Sequence, residues 1–214
     1  MAQYVNSRIC KVSNTPQSDV ENWKKERYGY ITGTRWKTLI LFCKTEEAKH
    51  ELAKKICGMI SDVIPEENMK YVKYGIDNED KLRKILESQI GAEVYEIGLV
   101  KSLLDNIFAC SVDGILANGD IVEFKTSKKS IPLESYDDFR EIDIGYYWQT
   151  QNNMAITGSK RCHFFFYSYT DNKIYYRIIP FNQSVWDYLK PQGEAFYRNY
   201  IEPIYDNVNK IPKI

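Results

Sequence analysis

One predicted hairpin, SVDGILANGDIVEFKTSKK (residues 111–129), carries Asp113, Glu123 and Lys125 in D-x9-E-x-K spacing. Glu123 and Lys125 are two apart on a strand, so they share a face, while Val122 and Phe124 project to the opposite, core face. Two turns fit the segment. A two-residue type I′ turn at Asn118-Gly119 sets Asp113 against Phe124. A three-residue loop, Ala117-Asn118-Gly119, with Gly119 left-handed in a bulge, shifts the register by one and sets Asp113 opposite Glu123. The second register is expected, because it leaves 112, 122 and 124 on one face and the charges on the other. Two carboxylates that close repel each other unless a cation meets them. A hard divalent ion such as Mg2+ suits carboxylate and backbone oxygen ligands; it lowers the pKa of bound water and stabilises charge on a phosphate. Lys125 on the same face can orient or deprotonate that water. The trio is therefore a candidate phosphodiester-cleaving centre, and the plain alternative is a solvated strand face with an ordinary cross-strand ion pair.

The elements that must position these residues follow from periodicity and punctuation. Ser18 with Glu21 forms a capping box before SDVENWKKERYG, which Gly29 ends. Thr34 caps a second helix, TRWKTLILF, and Thr45 a third, TEEAKHELAKKICGMI, with apolar positions 48, 52, 53, 56, 59 and 60; Pro65 punctuates. A fourth helix around NEDKLRKILESQIG carries Leu82, Ile85, Leu86 and Ile90 on one face. Residues 93–101, 107–116 and 120–126 read as a three-strand meander, followed by a helix, DIGYYWQTQNNMAITG. Two strands, RCHFFFYSYT and KIYYRIIPF, joined by a turn at Asp171-Asn172, and a helix from about Asn182 complete the chain. The order implies an α+β fold, a central mixed β-sheet flanked by helices. The expected organisation is one domain over 1–214, with a helical part at about 18–90 and the sheet and its helices at about 91–214.

Composition narrows the chemistry. Net charge is zero, which argues against a globally basic nucleic-acid coat but leaves room for a local patch. Lys24, Lys25, Arg35 and Lys37 provide one around Arg27. Five cysteines at 10, 43, 57, 110 and 162 have neither C-x-x-C nor ligand-like spacing, as expected of reduced thiols in a cytosol-like compartment. The N-terminal MAQYVNSRICKVSN has no apolar h-region, so no signal peptide is expected, and no run approaches membrane-spanning length. Neither His50 nor His163 has a partner at metal-ligand spacing, so a zinc site and a Ser-His-Asp site are both poorly supported.

Four blocks in order resemble the phage lambda-type exonucleases, the YqaJ-like viral recombinase nucleases of the PD-(D/E)XK superfamily. They are WKKERYGYITGT (23–34), YGIDNED (74–80), ACSVDG…VEFK (109–125) and YYWQTQNNM (146–154). The chain departs from the family pattern at Val112, where the eponymous Pro stands, and at Thr34, which replaces Ser but keeps the hydroxyl. The resemblance implies a restriction-endonuclease-like core in which Asp113, Glu123 and the Phe124 carbonyl ligate Mg2+, with Mn2+ as a substitute. It implies that Lys125 acts on the nucleophilic water, that Glu79 holds a second metal or its water, and that Gln149 helps position water or Lys125. Arg27 with Thr32 and Thr34 would receive a DNA 5′-phosphate, in keeping with backbone N–H groups at a helix start and a forked guanidinium. Without the resemblance, Glu79 is a first-turn Glu favoured by the helix dipole, Gln149 an exposed helix residue, Thr34 a plain N-cap, and Trp23 and Trp36 packing residues.

The expected function is an Mg2+-dependent exodeoxyribonuclease that digests linear duplex DNA from 5′ ends and leaves 3′ single strands, for viral or prophage recombination. The resemblance also implies a single-strand annealing protein as partner, a homotrimer around DNA, no membrane association, and a cytoplasmic site or the compartment of viral DNA replication. The alternatives are an endonuclease of the same superfamily, restriction-like or of an iron–sulfur type for which the cysteine cluster is missing, and a DNA-end-binding module without catalysis.

Overall fold

Residues 5–15, 17, 19–61, 66–127, 140, 143–170 and 172–209 are described in the computed structural model. The expectations placed on Ser18, Pro65 and Asp171 lie outside them, as do Lys128 and Lys129 at the end of the predicted hairpin. In chain order the elements are β1 (Cys10–Val12), α1 (Val20–Glu26), β2 (Ile31–Thr32), a 3-10 turn (Gly33–Arg35), a π-helical stretch (Thr38–Phe42), α2 (Glu46–Ile56) and α3 (Glu66–Ile90). Then come β3 (Val100–Ser102), β4 (Phe108–Cys110), β5 (Gly114–Ile115), β6 (Ile121–Ser127), α4 (Ile144–Thr157), β7 (Arg161–Ser168), β8 (Lys173–Pro180), α5 (Gln183–Phe196), a second π-helical stretch (Tyr197–Ile201) and α6 (Glu202–Asn209).

The fold is α+β with mixed sheets. The strands form two four-stranded sheets, ordered β1-β3-β4-β2 and β5-β6-β7-β8. Each contains one parallel pair, β2 with β4 and β6 with β7. The apolar run 107–116, read from sequence as one strand, breaks at residues 111–113, so its first half pairs in one sheet and its second half in the other. Of residues 93–101 only the end joins a ladder, with Tyr95 making a single bridge to Ile115.

Several boundaries move for local reasons. The N-cap of α1 is Asp19, whose side chain accepts from Asn22 N–H. Thr45 caps α2 as expected, accepting from Ala48 N–H at 3.2 Å. That helix stops at Ile56, because Gly58 turns left-handed (φ 71°), and Met59 and Ile60 are exposed rather than on the apolar face. Thr34 does not cap a helix; it sits inside the 3-10 turn, whose N-cap position is Thr32. α3 begins at Glu66, so Glu79 lies in mid-helix rather than in a first turn.

α4 is the layer that joins everything. It packs on β3 and β4 of the first sheet and on β6 and β7 of the second. Asp143 caps its start and Gly158, left-handed at φ 75°, ends it. The main core, with Trp36, Phe108, Phe164 and Met154, gathers around α4. A second cluster, with Leu82, Leu86, Val122, Phe124 and Phe165, fills the opposite face of the second sheet beneath α3. Val112 packs in the first of these clusters, not with Val122 and Phe124 as the hairpin pattern suggested, because the chain has already turned toward the other sheet at that point.

Candidate active site

The hairpin carries the expected three-residue loop. Gly114 pairs with Val122 and Ile115 with Ile121, and Gly119 is left-handed at φ 86°. Beyond Gly114 the regular ladder ends: Asp113 N–H donates to Val122 O at 3.1 Å, and the Asp113 carboxylate accepts from Phe124 N–H at 2.7 Å. The strand that holds Glu123 therefore also orients Asp113 through its backbone.

The solvated-face alternative does not hold. Glu123 is 1% exposed, because α4 covers its side of the sheet. Its Oε1 accepts from Lys125 Nζ and, at 2.5 Å, from Gln149 Nε2; its Oε2 accepts from Asn153 Nδ2 at 3.1 Å. Gln149 is correspondingly buried, at 7% exposure, and not an outward-facing helix residue. Lys125 also lies 5.6 Å from the centre of the Tyr146 ring.

α3 brings the third carboxylate. Glu79 is held by Arg83, one turn on, at 3.0 Å, and Arg83 reaches across to Glu96 at 2.7 Å. Burial pushes the Glu79 carboxyl up to about 7, with the Asp113 charge adding to the rise against the pull of Arg83. Burial likewise lifts Glu123 to about 7; Lys125 opposes this and Asp113 reinforces it. Asp113 is raised by burial too, against Lys125 and the Phe124 N–H. Burial works against the Lys125 charge, but Glu123 and then Asp113 outweigh it, so the ammonium is held above its ordinary pKa. Glu79 on α3 and Glu123 on β6 thus both feel the field of Asp113, which stands just before β5.

The segment after α1 forms the neighbouring feature. Arg27 donates to Thr32 Oγ1 at 3.2 Å while its guanidinium stacks 4.2 Å from the Trp23 ring. The Thr32 and Thr34 hydroxyls are 3.5 Å apart. Thr32 is buried and Thr34 exposed. Gly33 between them abuts α4: a Cβ there would stand 2.7 Å from Gln149 Cγ and 2.9 Å from Asn153 Oδ1. Trp36 is a packing residue, fully buried, whose indole donates to Asn152 Oδ1 at 2.9 Å. Trp23 is half-buried and donates to Ser111 Oγ at 3.1 Å. Of the surrounding basic residues, Lys25 is paired with Glu21 and Lys37 with Asp143.

Sequence reading did not single out Asn153, Arg83 or Tyr146. The first two had a signal: each stands four residues after a chosen residue, Gln149 and Glu79, on the same helix face.

Residues 22–160, more than half of the chain, match the YqaJ-like viral recombinase domain. The chain belongs to that family. No curated protein sequence matches it significantly. Among solved structures, it is similar to an alkaline exonuclease (LHK-Exo) from Laribacter hongkongensis, with TM-score 0.67 and 20% identity over 89% of this chain and 99% of that one. The same enzyme in complex with dAMP superimposes with TM-score 0.68 at 20% identity, over the same shares of both chains. A phage-related exonuclease from Haemophilus somnus 129PT gives 0.63 at 15% identity, over 86% and 98%. These likenesses establish that the YqaJ-like chain has the exonuclease-type fold over nearly its whole described length. Among the described residues no helix is long and apolar enough to cross a membrane.

Whether a divalent ion fits can be judged from the donors. Among the described residues no three His, Cys, Asp or Glu side chains converge as a metal cluster on their own. Asp113 and Glu123 with the Phe124 carbonyl make a hard-oxygen set of two side chains and one backbone group, which suits Mg2+ with water completing its shell. Burial first of all holds these three carboxyls up, and a cation bound among them would oppose that rise.

Proposed function

We propose that this YqaJ-like chain is a divalent-metal-dependent exodeoxyribonuclease that degrades linear duplex DNA from 5′ ends and leaves 3′ single strands. The observation that carries the reading is Glu123: a buried acid, beside Asp113 and Lys125, held at both oxygens and raised to about 7 by burial and by its acidic neighbour. A core acid of purely structural use has little reason to face a second carboxylate. The names of the structural neighbours, both exonucleases, point the same way.

Asp113, Glu123 and the Phe124 carbonyl would hold Mg2+, with Mn2+ as a substitute, and Glu79 would serve a second ion or its water. Bound there, the metal would acidify a water and stabilise the charge developing on the leaving 3′-oxygen. Lys125, kept protonated by its carboxylate neighbours, orients the attacking water and screens the phosphate's charge rather than taking the proton while paired. Gln149 holds Glu123 in place. Arg27, Thr32 and Thr34 would seat the 5′-phosphate next to the cutting site, a placement that rests on the Gly33 contact with α4. By the same resemblance the 3′ strand would pass to a single-strand annealing protein and three chains would encircle the duplex in the cytoplasm or the viral replication compartment.

The test uses purified chain, Mg2+, and duplex DNA that is linear with a 5′-phosphate, linear with a 5′-hydroxyl, or closed circular. Loss of the 5′-phosphorylated strand first, sparing of the circle and full inhibition by EDTA are expected. Cutting of the circle would make the chain an endonuclease. Indifference to EDTA would remove the metal, and no cleavage under any condition would leave an end-binding module.

A further inference from the structure

A single file of buried hydrogen bonds runs from the proposed end-binding segment to the proposed metal carboxylate. Trp36 Nε1 donates to Asn152 Oδ1 at 2.9 Å, Asn152 Nδ2 to Asn153 Oδ1 at 3.2 Å, and Asn153 Nδ2 to Glu123 Oε2 at 3.1 Å. All four side chains are at most 1% exposed. An indole N–H can only donate and an ionised carboxylate can only accept. The two ends of the file therefore fix the orientation of both amides, and neither can flip without breaking two bonds in a dry interior. Every donor points the same way, so each amide polarises the next and the effect converges on Glu123. The neighbouring buried polar residues behave differently. Thr150 turns back onto the Tyr147 carbonyl, and Gln151 clamps Pro180 O and Asn182 N–H; neither leads to a charge. Trp36 follows directly on the turn that carries Thr32 and Thr34, and Gly33 of that turn lies against the same Asn153 Oδ1.

We propose that Asn152 and Asn153 are positioning residues: with Trp36 they hold Glu123 in the orientation that grips the metal ion, and tie that orientation to the seating of the Thr32–Thr34 segment on α4. The inference rests on the reading of Glu123 as a metal ligand. Gln149 and Lys125 restrain Oε1, and Asn153 restrains Oε2, so without the file one oxygen is free to swing. Groups that orient a metal ligand from behind are commonly worth roughly 10–100-fold in metal affinity.

The experiment is calorimetric titration of Mn2+ into the DNA-free full chain. Asn153→Leu, close in size but without the amide, should weaken binding about tenfold or more. Trp36→Phe keeps an aromatic ring, loses the donating N–H together with part of the ring volume, and should weaken binding in the same direction although it touches no carboxylate; Phe108→Leu controls for the volume. The double variant should bind no worse than Asn153→Leu, because both cut one chain of bonds. Phe108→Leu, which alters the ring packed 5.9 Å from Trp36 without touching the file, should leave the affinity unchanged. Unchanged affinity in Trp36→Phe, losses that multiply in the double variant, or an equal loss in Phe108→Leu each overturn the inference. Thermal unfolding in EDTA reports whether each variant folds; Trp36→Phe carries the test if Asn153→Leu does not. Glu123→Ala separates the two levels. Wild-type Mn2+ affinity in that variant ends the metal reading itself, whereas loss of the ion there with no effect of Trp36→Phe ends the relay alone.

Discussion

The two faces of β6 are built from alternate residues of the same seven-residue strand and could hardly differ more. Toward α3, Val122 and Phe124 meet Leu82, Leu86 and Phe165 in an apolar cluster. Toward α4, Glu123 and Lys125 meet Gln149, Asn153 and the Tyr146 ring. Both faces are largely buried, with the Lys125 side chain keeping 19% exposure, so the difference is not mainly one of exposure. One face stabilises by transfer of apolar surface from water. The other keeps ionisable groups out of water, which costs stability unless every partner is in place. Stability and chemistry are thus separated by the thickness of a single sheet, and substitutions on the two sides should fail in different assays.

The largest effect is expected on the α4 side. Glu123→Gln keeps the shape but removes the charge and replaces one of the two accepting oxygens with a donor. Cleavage should drop by roughly 10²-fold or more, as befits several kcal/mol of transition-state stabilisation, while the melting temperature in EDTA near pH 8 stays level or rises. A variant that still cuts at wild-type rate would dissolve the contrast between the faces.

The α3 side should show the converse. Phe165→Ala empties a fully buried site packed edge-on against Phe124 at 5.9 Å. A loss of about 3–5 kcal/mol in denaturant unfolding is expected, with the turnover per folded molecule retained. A collapse of turnover at full folding would show that the apolar face also shapes the site.

A smaller effect sharpens the picture at the rim. Arg27→Lys keeps the charge but loses the fork that reaches Thr32. The preference for a 5′-phosphate over a 5′-hydroxyl should shrink by roughly tenfold, the scale of one charge-assisted bond, with cleavage of 5′-hydroxyl ends little changed.

The smallest is a pH effect on the metal-free chain. Glu79 and Glu123 have folded pKa values of about 7, above the ordinary 4.5, and Asp113 is shifted the same way. Between those values the folded state binds more protons than the unfolded one, so stability is present at low pH and declines as pH rises through 7. The melting temperature in EDTA should therefore fall from about pH 5 to about pH 8, and Mg2+ should restore most at the upper end. A flat profile would mean that the acids are already balanced without a metal.

What the sequence disclosed follows the strength of each local signal. The bounds of α4, β7 and β8 lay close to their observed places, since Asp143 and Gly158 cap the helix and the strands are long. The hairpin register was legible because it keeps Val122 and Phe124 on a face apart from the charges, although Val112, counted with them, packs in the other cluster. β1 and β2, three and two residues long, are too short to alternate. The break at 111–113 was hidden because both halves of the run are equally apolar. α3 runs a dozen residues earlier than its apolar face suggested, its first turns being mostly charged and polar. Asn153 escaped for a related reason. Five polar residues in a row, 149–153, read as a solvent-facing stretch, and only a helix enclosed between two sheets makes each of them a required partner.

Gly33 has a reach beyond its size. The loop it belongs to lies so close to the helix that a single hydrogen is all that fits against the Gln149 and Asn153 side chains. In a nuclease of the proposed kind that gap would set how the held terminus lies relative to the acids. A methyl group at this position would push the anchor outward, leaving an enzyme that still catches its substrate but holds the linkage out of line with the acids.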